Sequence, residues 1–289
     1  MTDDFRELLN NFGLLRVATE IERVAQPSIR LVADKAESQL ALGVSRLGGN
    51  PDLPIGIDWP EQNGRFLLFI AQINLAEITP YHSDPLMPTS GMLYFFFDID
   101  QYYEPSPSFR VYWKIWFFNQ DVYTLQRVPV PAEIPLDNKY NPCSLILSTE
   151  ITLPAYSSDD NDFLERLGLS SPFTNAEGLA YENLQSYLAG MLDAKFQIPI
   201  HRFLGHPDPV QWDVQRDCYD EANRVYNSNG SRGETLKSNI TDWKLLLQVD
   251  SDNASNTMWG DVGRIYFFVR KQDLLELDFS KVWLVLQCT

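Results

Sequence analysis

Three aspartates in one polar loop have a spacing that could bind a cation. Asp250, Asp252 and Asp261 occupy the first, third and twelfth positions of a segment that begins where an apolar strand ends. These are ligand positions of an EF-hand loop, in which oxygen donors surround Ca²⁺. However, Ala254 stands at a ligand position and Ser255 replaces the turn glycine. The segment is therefore a weak calcium site, a structural loop whose carboxylates accept backbone N–H bonds, or a loop that binds another ligand.

Other reactive side chains form no recognised motif. His201 and His206, together with Asp208, offer donors that suit zinc or iron, but their spacing in a Gly-Pro loop is not a known ligand spacing. The sequence has no Gly-x-Ser-x-Gly elbow and no glycine fingerprint for nucleotide phosphates. We therefore predict no cofactor and assign no catalytic residue. The cysteines are expected to be small buried hydrophobes: Cys143, Cys218 and Cys288.

Gln72 and Gln248 are a matched pair of polar residues, because each interrupts a strongly apolar strand. A buried amide without partners costs about 1–3 kcal/mol, so each amide must form hydrogen bonds. Either the two amides fix the backbone of two Gly-Pro loops, or they face a ligand in a cleft between two halves of the protein. The cleft hypothesis gives a site bordered by Trp59, Gln72, Gln248, Asp250, Trp259 and Asp261.

The two glutamines belong to a pattern that occurs twice. In each copy an apolar strand ends in Gln, an aliphatic residue and Asn or Asp, and a later strand carries Tyr-Phe-Phe after a glycine. A Gly-Pro loop precedes each copy, at residues 47–54 and 204–209. The pattern predicts an internal duplication within a single compact domain, 1–289, with possible halves 1–155 and 156–289.

Local signals predict the surrounding elements. Asp4 with Glu7, and Thr174 with Glu177, have the spacing of capping boxes and predict helix starts. Residues 109–118 and 122–128 are rich in aromatic and β-branched residues and predict a hairpin between the two copies. We expect an α+β fold, with mainly antiparallel sheets in two similar β-rich halves and peripheral helices.

Composition restricts the class of protein. The chain has 289 residues, 44% of them hydrophobic, and a formal net charge of −16. This charge repels nucleic acid and attracts cations or a basic protein, so we expect no nucleic-acid partner. No apolar run approaches the ~20 residues that span a bilayer, and the N-terminus lacks a secretory pattern. With three widely spaced cysteines, these features favour a cytoplasmic protein without a membrane partner.

Several short segments form an ordered set over most of the chain: Leu47-Gly48-Gly49 with Pro51 and Trp59-Pro60, residues 69–75, Gly205-His206-Pro207 with Gln211, residues 246–252, and residues 258–263 through Asp278-Phe279-Ser280. In these segments and their order the chain resembles the YwqG-like family of uncharacterised bacterial proteins. The resemblance implies a cytoplasmic protein of mixed α/β composition and supplies no catalytic residue. It also implies, for some relatives, an association with toxin and immunity gene clusters.

Two functions agree with these observations. The first is a non-enzymatic intracellular protein-binding module, of the immunity or antitoxin kind, whose acidic surface engages a basic partner. The alternative is a small-molecule-binding protein or enzyme with its site in the cleft between the two halves.

Overall fold

The structure, a computed structural model, describes residues 3–35, 40–82, 84–98, 112–135, 139–156, 163, 167–169, 172–190, 198–228 and 239–289. Ten of its strands form one sheet, and the others form two small two-stranded sheets. All the strand pairings are antiparallel, as the sequence predicts. The strands are β1 (Gln26–Lys35), β2 (Arg46–Leu47), β3 (Asp52–Pro54), β4 (Glu61–Gln62), β5 (Arg65–Phe66), β6 (Leu68–Asn74), β7 (Met92–Phe97), β8 (Trp113–Phe118), β9 (Leu125–Arg127), β10 (Cys143–Thr152), β11 (His201–Phe203), β12 (Trp243–Asp250), β13 (Arg264–Arg270) and β14 (Trp283–Gln287).

The large sheet curls into a nearly closed barrel. Its strand order is β14-β13-β12-β11-β1-β10-β2-β6-β7-β8. The two end strands nevertheless meet, because Trp113 of β8 donates its indole N–H to the carbonyl of Val282 at 2.9 Å and its ring lies 5.4 Å from that of Trp283. Between these ends, Phe95 of β7 packs on Phe267 of β13 at 5.0 Å. The two Tyr-Phe-Phe strands therefore share one aromatic core.

The helices of the described residues lie around this sheet. They are α1 (Asp3–Asn11), α2 (Ala18–Val24), α3 (Leu75–Ile78), α4 (Asn175–Leu188), α5 (Val214–Ser228) and α6 (Lys271–Leu275). Helices α1, α2 and α4 share a second, smaller hydrophobic core. The predicted capping box of α4 is confirmed, because the Thr174 hydroxyl accepts from Glu177 N–H at 3.2 Å while the Glu177 carboxylate accepts from Thr174 N–H at 2.8 Å. In the described part of the chain, no helix has the length and apolar character that crossing a bilayer requires.

The predicted hairpin between the two copies is wrong. β8 pairs with β7, whereas β9 pairs with β3. The reason is the connection, since Val122–Thr124 forms a helical turn that Asp121 caps by accepting from Tyr123 N–H at 3.2 Å. This turn directs the chain away from β8 and brings β9 against the Gly-Pro loop that contains β3. The first part of the predicted hairpin, residues 109–111, lies outside the described residues.

Strand β1 joins the two halves of the sheet. It pairs along its whole length with β10, from Gln26↔Thr152 to Lys35↔Cys143, and its other edge pairs with β11. A strand from the start of the chain therefore lies beside strands that follow residue 200. A division between residues 155 and 156 would separate β1 from β11.

We expect the fragment 156–289 to aggregate when it is expressed alone. Without β1 the edge of β11 is unpaired, and an exposed strand edge is a template for association. Co-expression with the fragment 1–155 should restore a soluble complex. Size-exclusion chromatography and circular dichroism would test this, and a monomeric fragment 156–289 that unfolds cooperatively would contradict it.

We also expect one carboxylate to make the free energy of unfolding depend on pH in the acidic range. Hydrogen bonds from Arg16 lower the pKa of Glu177 from 4.5 to about 2, against the opposing effect of burial, and bonds from Thr174 add to the lowering. A carboxylate whose pKa is lowered by folding stabilises the folded state fully above its unfolded value. This contribution is lost as the pH falls from about 4.5 to about 2.

The variant Glu177→Gln should therefore be less stable than the wild type at pH 7, and the difference should disappear by about pH 2. Urea unfolding over this pH range measures the difference. Glu182→Gln, which removes an exposed glutamate from the same helix, controls for the loss of charge. A constant difference at all pH values would contradict the assignment.

Candidate functional site

A buried glutamine anchors the first Gly-Pro loop, residues 47–54, which we call the first anchored loop. Gln72 is fully buried, and its side-chain oxygen accepts from the backbone N–H of Asp52 at 2.8 Å. Its amide N–H groups donate to the carbonyl of Val44 at 2.8 Å and to the Asp52 carboxylate at 3.0 Å. The hydroxyl of Tyr94 donates to the Asp52 carbonyl, and burial raises the pKa of Tyr94, so this hydroxyl stays a donor. Asp52 is thus fixed through its backbone and its side chain.

The second Gly-Pro loop, residues 204–209, is held in the same way, and we call it the second anchored loop. The side-chain oxygen of Gln248 accepts from Asp208 N–H at 2.9 Å, and its amide donates to the carbonyl of Ile200 at 2.7 Å. The hydroxyl of Tyr266 donates to the Asp208 carbonyl at 2.9 Å. Both amides therefore bond the Gly-Pro loops, which is the structural role that the sequence allowed.

The strands around the two amides also correspond in register. Gln72 is paired with Tyr94 and Gln248 with Tyr266. In both strand pairs the register shifts at the same place, at the residue two positions before the glutamine. Each irregularity lies at a buried residue, Ile70 or Leu246, where the backbone must still satisfy its polar groups.

The carboxylate of Asp52 holds two arginines. Its Oδ1 accepts from Nε of Arg127 at 2.8 Å, and its Oδ2 accepts from Arg46 and from Gly43 N–H. Arg127 also donates to the carbonyl of Leu40 at 2.8 Å. The side chain of Asp52 is fully buried, and both of its oxygens are occupied. It positions the two guanidinium groups and has no oxygen left to act as a base.

These arginines line a cavity of about 510 Å³, which we call the Arg46 cavity. Lys139 and Asn50 also line it, and the lining contains no Asp or Glu among the described residues. Three cations with one carboxylate leave a net charge of +2 in a protein whose total is −16. Burial, followed by the charge of Arg127, lowers the pKa of Arg46 from 12.5 to about 10. Arg46 therefore stays charged at neutral pH, while its buried Nε has no hydrogen-bond partner within the part of the chain that the structure describes.

The glycine pair of the first anchored loop packs closely against residues 140–142, which we call the facing wall of the Arg46 cavity. Gly48 and Gly49 have φ values of 58° and 72°, which L side chains rarely adopt. A Cβ at Gly48 would lie 2.3 Å from the carbonyl oxygen of Asn141, and a Cβ at Gly49 would lie 2.7 Å from Cβ of Pro142. Any side chain at these positions would push this wall away.

The polar loop with three aspartates supports the same wall. The backbone N–H of Asn141 donates to the carbonyl of Ser255 at 2.8 Å, and the rings of Tyr140 and Trp259 are 5.5 Å apart. Trp259 is fully buried, although the sequence hypothesis placed it at an open cleft. The loop therefore supports the wall of the Arg46 cavity from behind, and its residues are not among those that line the cavity.

The carboxylates of this loop bond to the protein itself. Asp250 accepts from Ile200 N–H at 2.8 Å and pairs with Arg264 at 2.8 Å, while Asp252 accepts from Ala254 N–H at 2.8 Å. Asp261 is exposed. Within the described residues, no three His, Cys, Asp or Glu side chains form a group that could hold a metal. The geometry thus matches the structural loop among the three alternatives.

His201 and Asp252 form a buried pair that resembles part of a catalytic triad. Nδ1 of His201 accepts from Asp250 N–H at 3.0 Å, so the ring proton must be on Nε2, which faces Asp252 at 3.0 Å. Burial alone would raise the pKa of Asp252, but the bonds from His201 and Ala254 outweigh it and lower the pKa. Both ring nitrogens are engaged, so the histidine has no nitrogen free to activate a nucleophile.

The structure does not form the cleft that the sequence hypothesis described. Gln72, Gln248 and Trp259 are fully buried and cannot border an open cleft, and Asp261 lies on the surface. Trp59 donates its indole N–H to the carbonyl of Leu67 at 2.8 Å and is buried in the core. Gln72 and Trp259 instead contact the residues that build the Arg46 cavity.

Sequence reasoning missed the residues that carry the charge, namely Arg46, Asp52, Arg127 and Lys139. One signal was present, because both Gly-Pro loops contain a Pro-Asp dipeptide, Pro51-Asp52 and Pro207-Asp208. An aspartate at the same place in two copies of a loop indicates a shared role. No comparable signal identifies Arg127, which β9 brings to the loop from a distant part of the chain.

The sequence model of the family described as "Domain of unknown function (DUF1963)" matches residues 45–288 of the chain. This range contains both anchored loops and every strand from β2 to β14. Helices α1 and α2 and strand β1 precede it. No curated protein matches the chain.

We expect Gln72→Leu and Gln248→Leu each to lower the free energy of unfolding by about 1–3 kcal/mol, because each removes the partners of a buried N–H and a buried carbonyl. Urea denaturation measures the loss. Gln126→Leu, at an exposed position of β9, is the matched control. Gln72 and Gln248 variants as stable as this control would contradict the anchoring role.

Proposed function

Because the chain belongs to the DUF1963 family, whose function is unknown, we propose a function from its geometry: the protein binds a small organic anion in the Arg46 cavity. One observation carries this proposal. The buried Arg46 and the partly buried Arg127 share a single carboxylate, and Lys139 adds a third positive charge to the same cavity.

The uncompensated charge supports an anionic ligand. A buried charge without a partner costs several kcal/mol, and a bound anion offsets this cost. Among the described residues the buried Nε of Arg46 has no acceptor, and the nearby charge of Arg127 lowers the pKa of Arg46. An anion in the cavity would offset this repulsion between the two guanidinium groups.

The volume and the lining of the Arg46 cavity suit a small molecule. Its volume of about 510 Å³ is in the ordinary range for ligand sites. Guanidinium groups bind carboxylate or phosphate with two parallel hydrogen bonds, whereas Lys139 adds a point charge. Tyr140 and Pro142 offer apolar surface to the remainder of the ligand. We propose binding without turnover, because Asp52 is occupied by its arginines.

Four further properties of the protein are proposals. We propose that the protein is YwqG-like, on the motifs given above, and that it works in the cytoplasm. We also propose that its halves arose by duplication, which is supported by the matched registers and the two identical loop anchors. Binding of a basic protein of the toxin kind rests on the net charge of −16 and stays a prediction.

Isothermal titration calorimetry with inorganic phosphate, citrate and adenosine monophosphate tests the anion proposal. We expect saturable binding of at least one of them to the wild type and about tenfold weaker binding to Lys139→Gln, which corresponds to ~1.4 kcal/mol. Arg127→Lys keeps the charge but removes the planar fork, so it should also weaken binding.

The matched control is Lys114→Gln, which removes a positive charge from β8 at a position that lines neither this cavity nor the cavity around Trp243. It should leave the affinity unchanged. An absence of saturable binding, or equal affinities for Lys139→Gln and Lys114→Gln, would contradict the proposal.

A further inference from the structure

We propose that the second anchored loop forms a second anion site, specific for a short dicarboxylate, in a separate cavity that we call the Trp243 cavity. This cavity has a volume of about 280 Å³. Gly205, His206 and Pro207 of the loop line it, together with Trp243. The proposal stands on this cavity alone and does not require the Arg46 cavity to bind anything.

Positive charge surrounds the Trp243 cavity. Arg23, Lys244 and Lys271 come from α2, β12 and α6 and all line it. Lys244 pairs with Asp84, which is not a lining residue. In the part of the chain that the structure describes, the lining has no Asp or Glu. A ligand here would meet the exposed Lys271, Arg23, which also donates to the carbonyl of Leu167, and Lys244, which is paired directly with Asp84.

The ring of Trp243 forms a buried part of the lining. Trp243 is almost completely buried, and among the described residues its indole N–H, which is also buried, has no acceptor. The guanidinium of Arg270 lies 5.9 Å from the centre of its ring, but Arg270 forms a buried ion pair with Asp273 at 2.5 Å and adds no net charge. An indole N–H only donates, so a ligand beside this ring is favoured when it presents an acceptor oxygen.

The loop that forms one wall is fixed in place. Gly205 has a φ of 77°, and a Cβ there would lie 2.5 Å from Cβ of Ser28 on β1. Arg202 donates to the carbonyl of His206 at 3.0 Å, and His206 donates through Nε2 to the carbonyl of Val24 at 2.8 Å. The wall is therefore rigid before a ligand arrives, which lowers the entropic cost of binding.

The size and lining of the cavity select the ligand class. The volume is about 280 Å³, against about 510 Å³ for the Arg46 cavity, so the ligand must be compact. Val24, Leu245 and Pro154 give it an apolar side. A short aliphatic chain with a carboxylate at each end places negative charge near the cations and methylene groups against this side.

The test uses succinate as the probe. Calorimetry should show saturable binding to the wild type and to Lys139→Gln, and at least tenfold weaker binding to Lys271→Gln. Lys271 is exposed, so its replacement should leave the thermal unfolding midpoint unchanged. In ¹H–¹⁵N spectra the indole signal of Trp243, assigned with Trp243→Phe, should shift on saturation with succinate.

The outcomes separate the two cavities. Succinate binding that is weakened by Lys139→Gln and not by Lys271→Gln would place the ligand in the Arg46 cavity and overturn the second site. An absence of saturable succinate binding would also overturn it. Binding of phosphate or citrate at the Arg46 cavity is measured separately, so either site can fail without the other.

Discussion

A single requirement organises much of this protein: an amide inside an apolar strand must have its hydrogen bonds satisfied. Gln72 meets it by binding the backbone of the first anchored loop, so the loop is tied to the sheet at Asp52. The position of Asp52 then fixes Arg46 and Arg127, which determine the charge of the cavity. The hydrogen bonds of one buried glutamine thus determine, through Asp52, where the charged side chains of the cavity lie.

The same anchor operates in two different electrostatic surroundings. Arg46 and Arg202 occupy corresponding strand positions, each paired in register with a glutamine. Arg46 turns toward the loop aspartate, whereas Arg202 pairs with Glu150, which also holds Arg30. Asp208 is paired instead with Arg264. The backbone of the two loops is therefore alike, while the cations around each loop come from different elements.

The sequence predicts much of the local structure and little of the charge arrangement. The α4 helix and its capping box, the apolar strands and the need of Gln72 for hydrogen-bond partners depend on residues close in sequence or on one buried group, so patterns reveal them. The pattern did not decide whether those partners are a Gly-Pro loop or a ligand. The hairpin prediction failed because a three-residue helical turn outweighed the strand propensity on either side of it. Arg127 meets Asp52 only through the pairing of β3 with β9, and nothing local in the sequence indicates that pairing.

The position of β1 also affects how the chain acquires its structure during synthesis. The paired residues of β1 and β10 that are closest in sequence are Lys35 and Cys143, which are separated by 143 − 35 = 108 residues. At ~5–20 residues per second, the ribosome needs roughly 5–20 s to make this stretch. During that time β1 has neither of its neighbours, and the barrel closes only after β14 has reached β8. The nascent chain therefore carries an unpaired strand edge, which is a template for association, until these partner strands have been made.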